Sequence, residues 1–440
     1  MEHKRISRRH FVKESSLATG GILLGSSLFA SPIMSHKKEK TLKLALVGCG
    51  GRGTGAVVQA LKADNDVKLV AMADAFEDQI ETSYANLSKV FDSSRIDLKP
   101  SMKFAGFGSY KKAIDEADVV ILTTPPGFRP LHFEYAIKQG KHVFMEKPVA
   151  TDVVGIKKVL NAAKLAKEKN LNVVVGLQRR YQAEYLEINK RIKNGDMGNI
   201  VSGQVYWNGA GVWVRPRTAA MTEMEYQMRN WYYFNWLCGD HILEQHIHNI
   251  DVANWFIGEY PIKAQGMGGR EVRKGKDHGQ IFDHHFVEFT YPSGAIISSQ
   301  CRHQPGCFSQ VSETFQGTLG TAHTGGHSVM NSYSGNTIYK HDGENDKNPY
   351  QVEHDRLFAA IRNKEEIINN AEYGAKSTMS AIIGRMATYS GKEITWDAAM
   401  DSNLELVPNE DLLDFNSTPP VVPDEQGAYP IPVPGQTTYY

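Results

Sequence analysis

One stretch near the start of the chain limits the possible folds more than any other. A short apolar run, Leu42–Val47, leads into a glycine-rich turn at residues 48–53, and a helical pattern follows at residues 54–63. A second apolar run, residues 67–73, then ends in Asp74. Strand, tight turn, helix and strand in this order predict the first unit of a doubly wound parallel sheet.

The glycines of this turn are spaced as the phosphates of a dinucleotide require. Gly48 permits the turn, Gly50 lets the backbone approach a pyrophosphate, and Gly53 allows the helix to pack closely on the strand. Asp74 follows Gly53 by 21 residues, where a carboxylate accepts hydrogen bonds from a ribose diol and repels a 2′-phosphate. We therefore predict NAD rather than NADP as the cofactor, against the alternative of a glycine turn that binds no ligand. The predicted cofactor contacts in this region are Gly48, Gly50, Gly51, Arg52, Gly53 and Asp74.

The patterns further along predict two domains. Strands and helices alternate over residues 40–170, which indicates an N-terminal, NAD-binding Rossmann domain of the α/β class with a doubly wound parallel sheet. Over residues 171–400 longer alternating strands indicate a C-terminal α+β domain with an open, mostly antiparallel sheet, for substrate binding and oligomerisation. Proline-rich residues 401–440 predict a tail without regular structure. The strands predicted for the second sheet are residues 200–207, 262–268, 284–291 and 295–300.

The N-terminus has the features of a targeting segment. Residues 7–13 match the twin-arginine export pattern S-R-R-x-F-x-K, and a mildly apolar stretch follows at residues 17–30. That stretch is too short and too rich in glycine and serine for a comfortable transmembrane span. We predict a signal peptide over residues 1–35, export to the periplasm and no stable membrane insertion after its removal. The alternative is an ordinary basic N-terminus.

The charges of the chain balance, with 49 lysines and arginines against 49 aspartates and glutamates. Such a chain has no global field that would attract nucleic acid or an anionic membrane surface. We therefore expect a small neutral or weakly charged ligand and no nucleic-acid partner. Because an open sheet and a proline-rich tail favour contacts between copies, we also expect a homo-oligomer.

Polar residues follow several predicted strands of the first domain, and ligands of such sheets bind at the carboxyl ends of strands. Lys147 at such an end could hydrogen-bond a substrate hydroxyl and favour its alkoxide character as hydride leaves. The alternative role for Lys147 is a structural ion pair with Glu146. The further cofactor contacts predicted here are Thr124, Pro125, His132, Glu146, Lys147 and Gln178.

A helix predicted over residues 241–256 carries Glu244 and His248 four residues apart, so the two would share one face of that helix. A histidine with a pKa near neutrality can take a hydroxyl proton during oxidation and return it during reduction, while a carboxylate orients or charges it. Glu244 is therefore a candidate catalytic residue beside His248. Without further context, such a pair is more often a surface ion pair. His246 would point elsewhere, so Glu244, His246 and His248 suit a metal poorly and we predict none. Metal binding nevertheless stays an open alternative because of the other candidate ligands, Asp240, His241, His246, His284 and His285.

Aromatic side chains are frequent in the second domain. They could stack on a sugar ring or belong to the core, and for any single ring the core is the simpler interpretation. The aromatic candidates are Tyr206, Trp207, Trp213, Tyr232, Tyr233 and Trp236. The predicted substrate contacts are Arg180, Tyr181, Trp236, Glu244 and His248.

Taken in order, these motifs resemble those of the Gfo/Idh/MocA oxidoreductase family. The resemblance rests on the glycine turn, Thr124-Pro125 with His132, the element E-K-P at 146–148, and E-x-x-x-H-x-x-D at 244–251. It covers roughly residues 42–390 and implies the two-domain plan, sugar or inositol dehydrogenase activity, a catalytic Lys147 and His248 as acid and base. Family members often carry aspartate where this chain has Glu244, which adds a methylene.

The motifs and the resemblance together predict an exported NAD-dependent oxidoreductase with a tightly bound cofactor. It would act on a secondary hydroxyl of a sugar or glycoside, with C3 as a candidate position. One alternative resembles glycoside hydrolase family 109, which oxidises a sugar transiently, eliminates the aglycone and reduces the sugar again. That group carries an N-x-Y-P-T-H stretch, which this chain lacks. Another alternative is a non-catalytic sugar-binding protein.

Overall fold

The computed structural model describes residues 40–438, which build two β-sheets. The signal peptide predicted for residues 1–35 lies outside the described residues. Within the described part, no helix combines the length and the apolar character needed to cross a membrane.

Six parallel strands form the first sheet. These strands are β1 (Leu42–Val47), β2 (Val67–Asp74), β3 (Lys103–Ala105), β4 (Val119–Leu122), β5 (His142–Met145) and β6 (Val173–Val175). Their order is β3-β2-β1-β4-β5-β6, with every neighbouring pair parallel. The intervening helices are α1 (Gly51–Ala63), α2 (Glu77–Leu87), α3 (Ser109–Asp115), α4 (Arg129–Lys138) and α5 (Val153–Glu168). β4 is buried along its whole length, as expected where helices cover both faces of a parallel sheet. The predicted doubly wound sheet is confirmed.

Nine strands form the second sheet. They are β7 (Ile200–Gly209), β8 (Lys263–Gly269), β9 (His284–Thr290), β10 (Ile296–His303), β11 (Gln310–Gly317), β12 (Gly320–Thr324), β13 (Val329–Ser332), β14 (Thr337–Lys340) and β15 (Ile394–Thr395). Their order is β14-β13-β12-β11-β7-β10-β9-β8-β15. β7 and β10 pair in parallel and the other neighbours are antiparallel. The prediction of a mostly antiparallel second sheet is therefore confirmed.

One of the helices in the second half of the chain packs against elements of both sheets. These helices are α6 (Ala183–Lys193), α7 (Glu223–Arg229), α8 (Asn235–Cys238), α9 (His241–Glu244), α10 (Ile247–Ile257), α11 (Pro349–Ile361), α12 (Ala371–Ser390) and α13 (Trp396–Asp401). α12 packs on α5 of the first layer and on β8 and β9 of the second sheet. A Cβ at Gly374 would lie 3.0 Å from Val175, and one at Gly384 would lie 2.9 Å from Phe289. Small residues thus let α12 approach both sheets closely. The packing of α12 joins the two sheets into one core.

The helix predicted over residues 241–256 is wrong as one continuous element. It is broken at Gln245 and His246, between α9 and α10. Both side chains are held by β10, because Gln245 Oε1 lies 2.7 Å from His303 Nε2 and His246 Nε2 lies 2.7 Å from Ser299 Oγ. The helical spacing of Glu244 and His248 therefore does not decide their relative position.

Residues 402–438 contain neither an α-helix nor a strand and lie against the rest of the chain. Leu406 N donates to Asp152 Oδ2 at 2.7 Å, and Gly435 N donates to Ser390 O at 2.7 Å. The ring of Tyr429 packs edge-on against Phe234 at 5.1 Å. This segment, which we call the C-terminal strap (residues 402–438), therefore packs against both halves of the molecule.

Candidate active site

The glycine turn between β1 and α1 is tight on one side and open on the other. Gly48 has φ +95°, and a Cβ there would lie 2.5 Å from Thr124 N. A Cβ at Gly53 would lie 2.1 Å from Gly48 O, whereas a Cβ at Gly50 or Gly51 would meet nothing within 4 Å. No side chain caps the N-terminus of α1. The free N–H groups of this helix end therefore face open space, which fits a pyrophosphate.

A cavity of about 410 Å³ lies over this turn. Trp213, Arg215, Met228, Arg229 and Trp231 from the second half also line it, together with Glu410 of the C-terminal strap. The predicted cofactor residues that line it are Gly48, Gly50, Gly51, Arg52, Gly53, Asp74, Thr124, Pro125 and His132. The structure therefore brings these nine residues together, although their roles stay predictions.

The other predicted cofactor residues lie outside the cavity lining. Glu146 is linked to the cavity by Arg52, whose Nε donates to Glu146 Oε1 at 2.5 Å. The side-chain oxygen of Gln178 is buried without a hydrogen-bond partner, so it can accept a hydrogen bond from a ligand group.

Asp74 closes the cavity at the carboxyl end of β2. Its Oδ2 accepts from Cys49 N at 2.6 Å, and its Oδ1 accepts from Phe76 N at 2.9 Å. Burial raises the pKa of the Asp74 carboxyl, although the backbone donors favour its charged form. Each carboxylate oxygen can accept a second bond, so the position fits a ribose hydroxyl.

His132 belongs to a buried chain of polar groups under the cavity. Its Nδ1 lies 3.1 Å from Thr124 Oγ1, and its Nε2 lies 2.8 Å from Glu410 Oε2. Glu410 is 278 residues away in sequence, and no local spacing could have revealed it as a site residue. The C-terminal strap thereby supports the residues that line the cofactor cavity.

Lys147 follows β5 and reaches across to α9. Its Nζ donates to the backbone carbonyl of Glu244 and lies 3.1 Å from Glu244 Oε1. The Lys147 and Glu244 side chains are 11% and 15% exposed. Lys147 is therefore paired with Glu244, while Glu146 is paired with Arg52. Burial raises the pKa of Glu244 even though Lys147 favours its charged form.

His248 lies at the start of α10 and is almost fully buried. Its Nδ1 has no hydrogen-bond partner, and its ring stacks on Trp207 with centroids 5.9 Å apart. Burial, reinforced by the positive charges of Lys147 and Arg179, lowers the pKa of His248 well below its ordinary value. The imidazole is therefore neutral at neutral pH, and it is a weaker base than the histidine of near-neutral pKa that the sequence predicts.

Arg180, Tyr181 and Trp236 were predicted to contact substrate, and in the structure their polar groups bind other residues of the fold. Both Arg180 nitrogens bind Asp251 at 2.8 Å. Tyr181 Oη donates to Asn370 Oδ1 at 2.6 Å. Trp236 is 2% exposed, and its indole N–H donates to Gln227 Oε1. These polar groups have partners within the fold, and their contacts with substrate stay predictions.

A further buried cluster lies beneath α9. One nitrogen or oxygen atom from each of Asp240, His241 and His285 lies within 4.8 Å of the other two. The carboxylate of Asp240 already accepts hydrogen bonds from Tyr389 at 2.5 Å and from Phe282 N at 2.9 Å. It also binds His241 Nδ1 at 2.8 Å. These contacts satisfy the carboxylate as a hydrogen-bond network, and the prediction of no metal stays a prediction.

Two family models match this chain, and together they include most strands of both sheets. Residues 42–177 match the description "Oxidoreductase family, NAD-binding Rossmann fold", and residues 185–323 match "GFO/IDH/MocA C-terminal domain". Among solved structures, an aldose-aldose oxidoreductase from Caulobacter crescentus aligns with a TM-score of 0.63 and 18% identity, over 81% of this chain and 100% of that chain. This similarity establishes the fold.

Two of the curated relatives show how far the similarity in sequence extends. A glycosyl hydrolase family 109 protein of Solibacter usitatus is 33% identical over 153 residues, which is 34% of each chain. An inositol 2-dehydrogenase of Rhizobium meliloti is 23% identical over 267 residues, covering 60% of this chain and 69% of the relative. The first match thus spans only about a third of the relative's length.

Proposed function

The chain belongs to the Gfo/Idh/MocA oxidoreductase family, and from that premise we propose that it transfers hydride between NAD and a secondary hydroxyl of a sugar or glycoside. The observation that carries the proposal is the pairing of Lys147 with Glu244. This pairing fixes the position of the Lys147 ammonium group. The preceding residue, Glu146, binds Arg52, which lines the cavity over the glycine turn. The NAD-binding family assignment is consistent with the open cradle at Gly50 and Gly51.

Lys147 and His248 have separate roles at the substrate hydroxyl: one stabilises its oxygen and the other transfers its proton. The Lys147 ammonium donates a hydrogen bond to the hydroxyl oxygen and stabilises the negative charge that develops there. We assign to His248 the uptake of the hydroxyl proton during oxidation and its return during reduction. When bound, NAD supplies the hydride acceptor.

The substrate class is proposed from the surroundings of His248. Trp207 presents a half-buried ring stacked on that imidazole, and an aromatic face suits the C–H face of a sugar. The inositol 2-dehydrogenase match supports a polyhydroxylated substrate. C3 of a glycoside is our candidate for the oxidised position, and Asp74 supports NAD over NADP.

The test is an absorbance scan of the protein purified without added nucleotide, before and after mixing with a panel of sugars and glycosides. We expect a reduced-nicotinamide band to grow with one class of sugar. The matched control is His248→Asn, which keeps the cofactor site and should slow the band by about 100-fold or more. If denaturation released no nucleotide, and added NAD neither bound nor was reduced, the proposal would fail.

A redox-neutral glycosidase is the second candidate, and the Solibacter match favours it. Such an enzyme would oxidise, eliminate and reduce within one turnover, so no lasting nicotinamide band would form. A glycoside with a chromogenic aglycone separates the two candidates. Release of the aglycone without a lasting band would support the glycosidase, and a lasting band without release would support the dehydrogenase.

We also propose export by the twin-arginine route with the cofactor retained. The residues that support it, 7–13, match the export pattern, and a protein exported folded can carry a bound nucleotide. Replacing Arg8 and Arg9 by lysine should leave the protein in the cytoplasmic fraction. Periplasmic recovery of that variant would overturn the export route.

A further inference from the structure

The second half of the chain covers the cofactor cavity with a short loop, residues 210–217. Trp213 and Arg215 of this loop line the same cavity as the glycine turn. Trp213 is 43% exposed and touches Trp231 edge-on, with ring centroids 6.1 Å apart. An indole and a guanidinium are thus presented to the cavity by a segment outside the Rossmann sheet.

The charges around the cavity set Arg215 apart from the other arginines. Arg52 is paired with Glu146 at 2.5 Å, and Arg229 binds Asp78 at 3.2 Å and Glu225 at 3.0 Å. Arg215 is exposed and forms no ion pair with any acid in the described part of the chain. It is therefore the uncompensated arginine of the cavity lining.

The backbone of this loop is held firmly although its two side chains are open. Arg215 N donates to Asn230 Oδ1 at 2.7 Å, and Asn230 Nδ2 donates back to Arg215 O at 3.0 Å. Tyr233 donates to the carbonyls of Val212 at 3.1 Å and Trp213 at 3.0 Å. Asn230 is fully buried, so these bonds are shielded from water. A loop fixed in this way positions its charge before any ligand arrives.

From this placement we infer that Arg215 binds the pyrophosphate of the cofactor and that Trp213 covers it, so that the second half of the chain retains the nucleotide. The pyrophosphate carries two negative charges. The N-terminus of α1 offers about half a positive charge, and Arg52 is occupied by Glu146. The exposed guanidinium of Arg215 supplies one further positive charge through charge-assisted hydrogen bonds. The inference rests on the proposed NAD-dependent function and adds a residue outside the Rossmann sheet to it.

The experiment compares Arg215→Gln with Arg215→Lys and with Arg217→Gln. Arg217 is two residues away, pairs with Glu223 at 2.6 Å and does not line the cavity, so its variant controls for the loss of one positive charge. The first readout is the nucleotide released per chain on denaturation. The others are calorimetric Kd values of the stripped full-length protein for NAD, NADP, ADP and adenosine, and the KM for sugar of the NAD-loaded protein. Thermal unfolding shows whether each variant is folded.

We expect Arg215→Gln to raise the Kd for NAD and for ADP by about ten-fold or more. The Kd for adenosine should stay unchanged, because adenosine carries no phosphate. Arg215→Lys should recover most of the affinity, and Arg217→Gln should match the wild type.

Three results would overturn the inference. NAD affinity equal to that of the wild type in a folded Arg215→Gln variant would show that Arg215 does not bind the cofactor. A loss confined to NADP would assign Arg215 to a 2′-phosphate, and a raised KM for sugar at unchanged NAD affinity would assign it to the substrate. If the wild-type protein itself bound neither NAD nor ADP, the proposed function would fail instead.

Discussion

At the scale of single residues, the contact between Lys147 and Glu244 decides where the proposed chemistry takes place. Lys147 donates both to the backbone carbonyl and to the carboxylate of Glu244. Lys147→Met keeps the length and the packing of the side chain but removes the charge and the donors. We expect the rate of sugar oxidation to fall by about 10²- to 10⁴-fold, as measured by single-turnover absorbance, with bound NAD unchanged.

Glu244→Gln is the matched comparison at this scale. The amide removes the negative charge but leaves the backbone carbonyl of Glu244 to hold Lys147. A smaller loss than in Lys147→Met is therefore expected, with NAD content again unchanged. Loss of the nucleotide in either variant would mean that the pair holds the cofactor rather than the reacting hydroxyl.

At the scale of elements, the glycine turn at the start of α1 separates folding from binding. A methyl group at Gly53 would collide with Gly48 O, whereas one at Gly50 would enter open space. We expect Gly53→Ala to lower the free energy of unfolding by about 2 kcal/mol or more. Gly50→Ala should unfold at the temperature of the wild type and yet bind NAD at least about ten-fold more weakly, because its methyl group occupies the space proposed for the pyrophosphate.

Thermal unfolding and calorimetric titration with NAD measure the two effects separately. Each glycine variant serves as the control for the other. Tight NAD binding by Gly50→Ala would show that the pyrophosphate lies elsewhere.

The elements also show which parts of the fold the sequence could predict. β4 is a continuous apolar run of the kind that parallel sheets bury, and it agrees with the alternation of strands and helices predicted over residues 40–170. The strands β11 to β14 were not predicted, because short segments such as Gly320–Thr324 and Val329–Ser332 lack a clear alternation of apolar and polar residues. The helix break at Gln245 was also missed, since it is produced by side-chain contacts with β10 rather than by any helix-breaking residue.

The candidate site was predictable only where a motif carried it. The glycine turn and Asp74 lie within one βαβ unit, so their spacing predicts their meeting in the structure. Arg215 and Glu410 reach the same cavity from loops that have no motif, and Glu410 is 278 residues from His132. Arg180 was predicted as a substrate contact because it follows the end of a strand. In the structure its guanidinium is paired with Asp251. Sequence alone could not show which partner that guanidinium takes.

At the scale of the whole molecule, buried neutral histidines make stability depend on pH. Burial lowers the pKa of His354 to about 3 and that of His241 to about 4, and it lowers the pKa of His246 and His248 strongly. Below the ordinary pKa of about 6.5 the unfolded chain binds protons that the folded chain cannot. Each such histidine therefore removes stability as the pH falls through 6.5. Carboxyls with raised pKa values, such as Glu353, act in the opposite direction.

His354 isolates one of these contributions. Its ring stacks on Phe144 with centroids 4.3 Å apart, and both ring nitrogens are buried without a hydrogen-bond partner. His354→Phe keeps an aromatic ring at this position and removes the titrating group, while every other group stays common to both proteins. Between pH 7.5 and 5.5 we expect the wild type to lose about 1.4 kcal/mol more of its free energy of unfolding than the variant. Urea unfolding of both proteins at the two pH values measures the difference, and equal losses would mean that His354 is protonated in the folded protein.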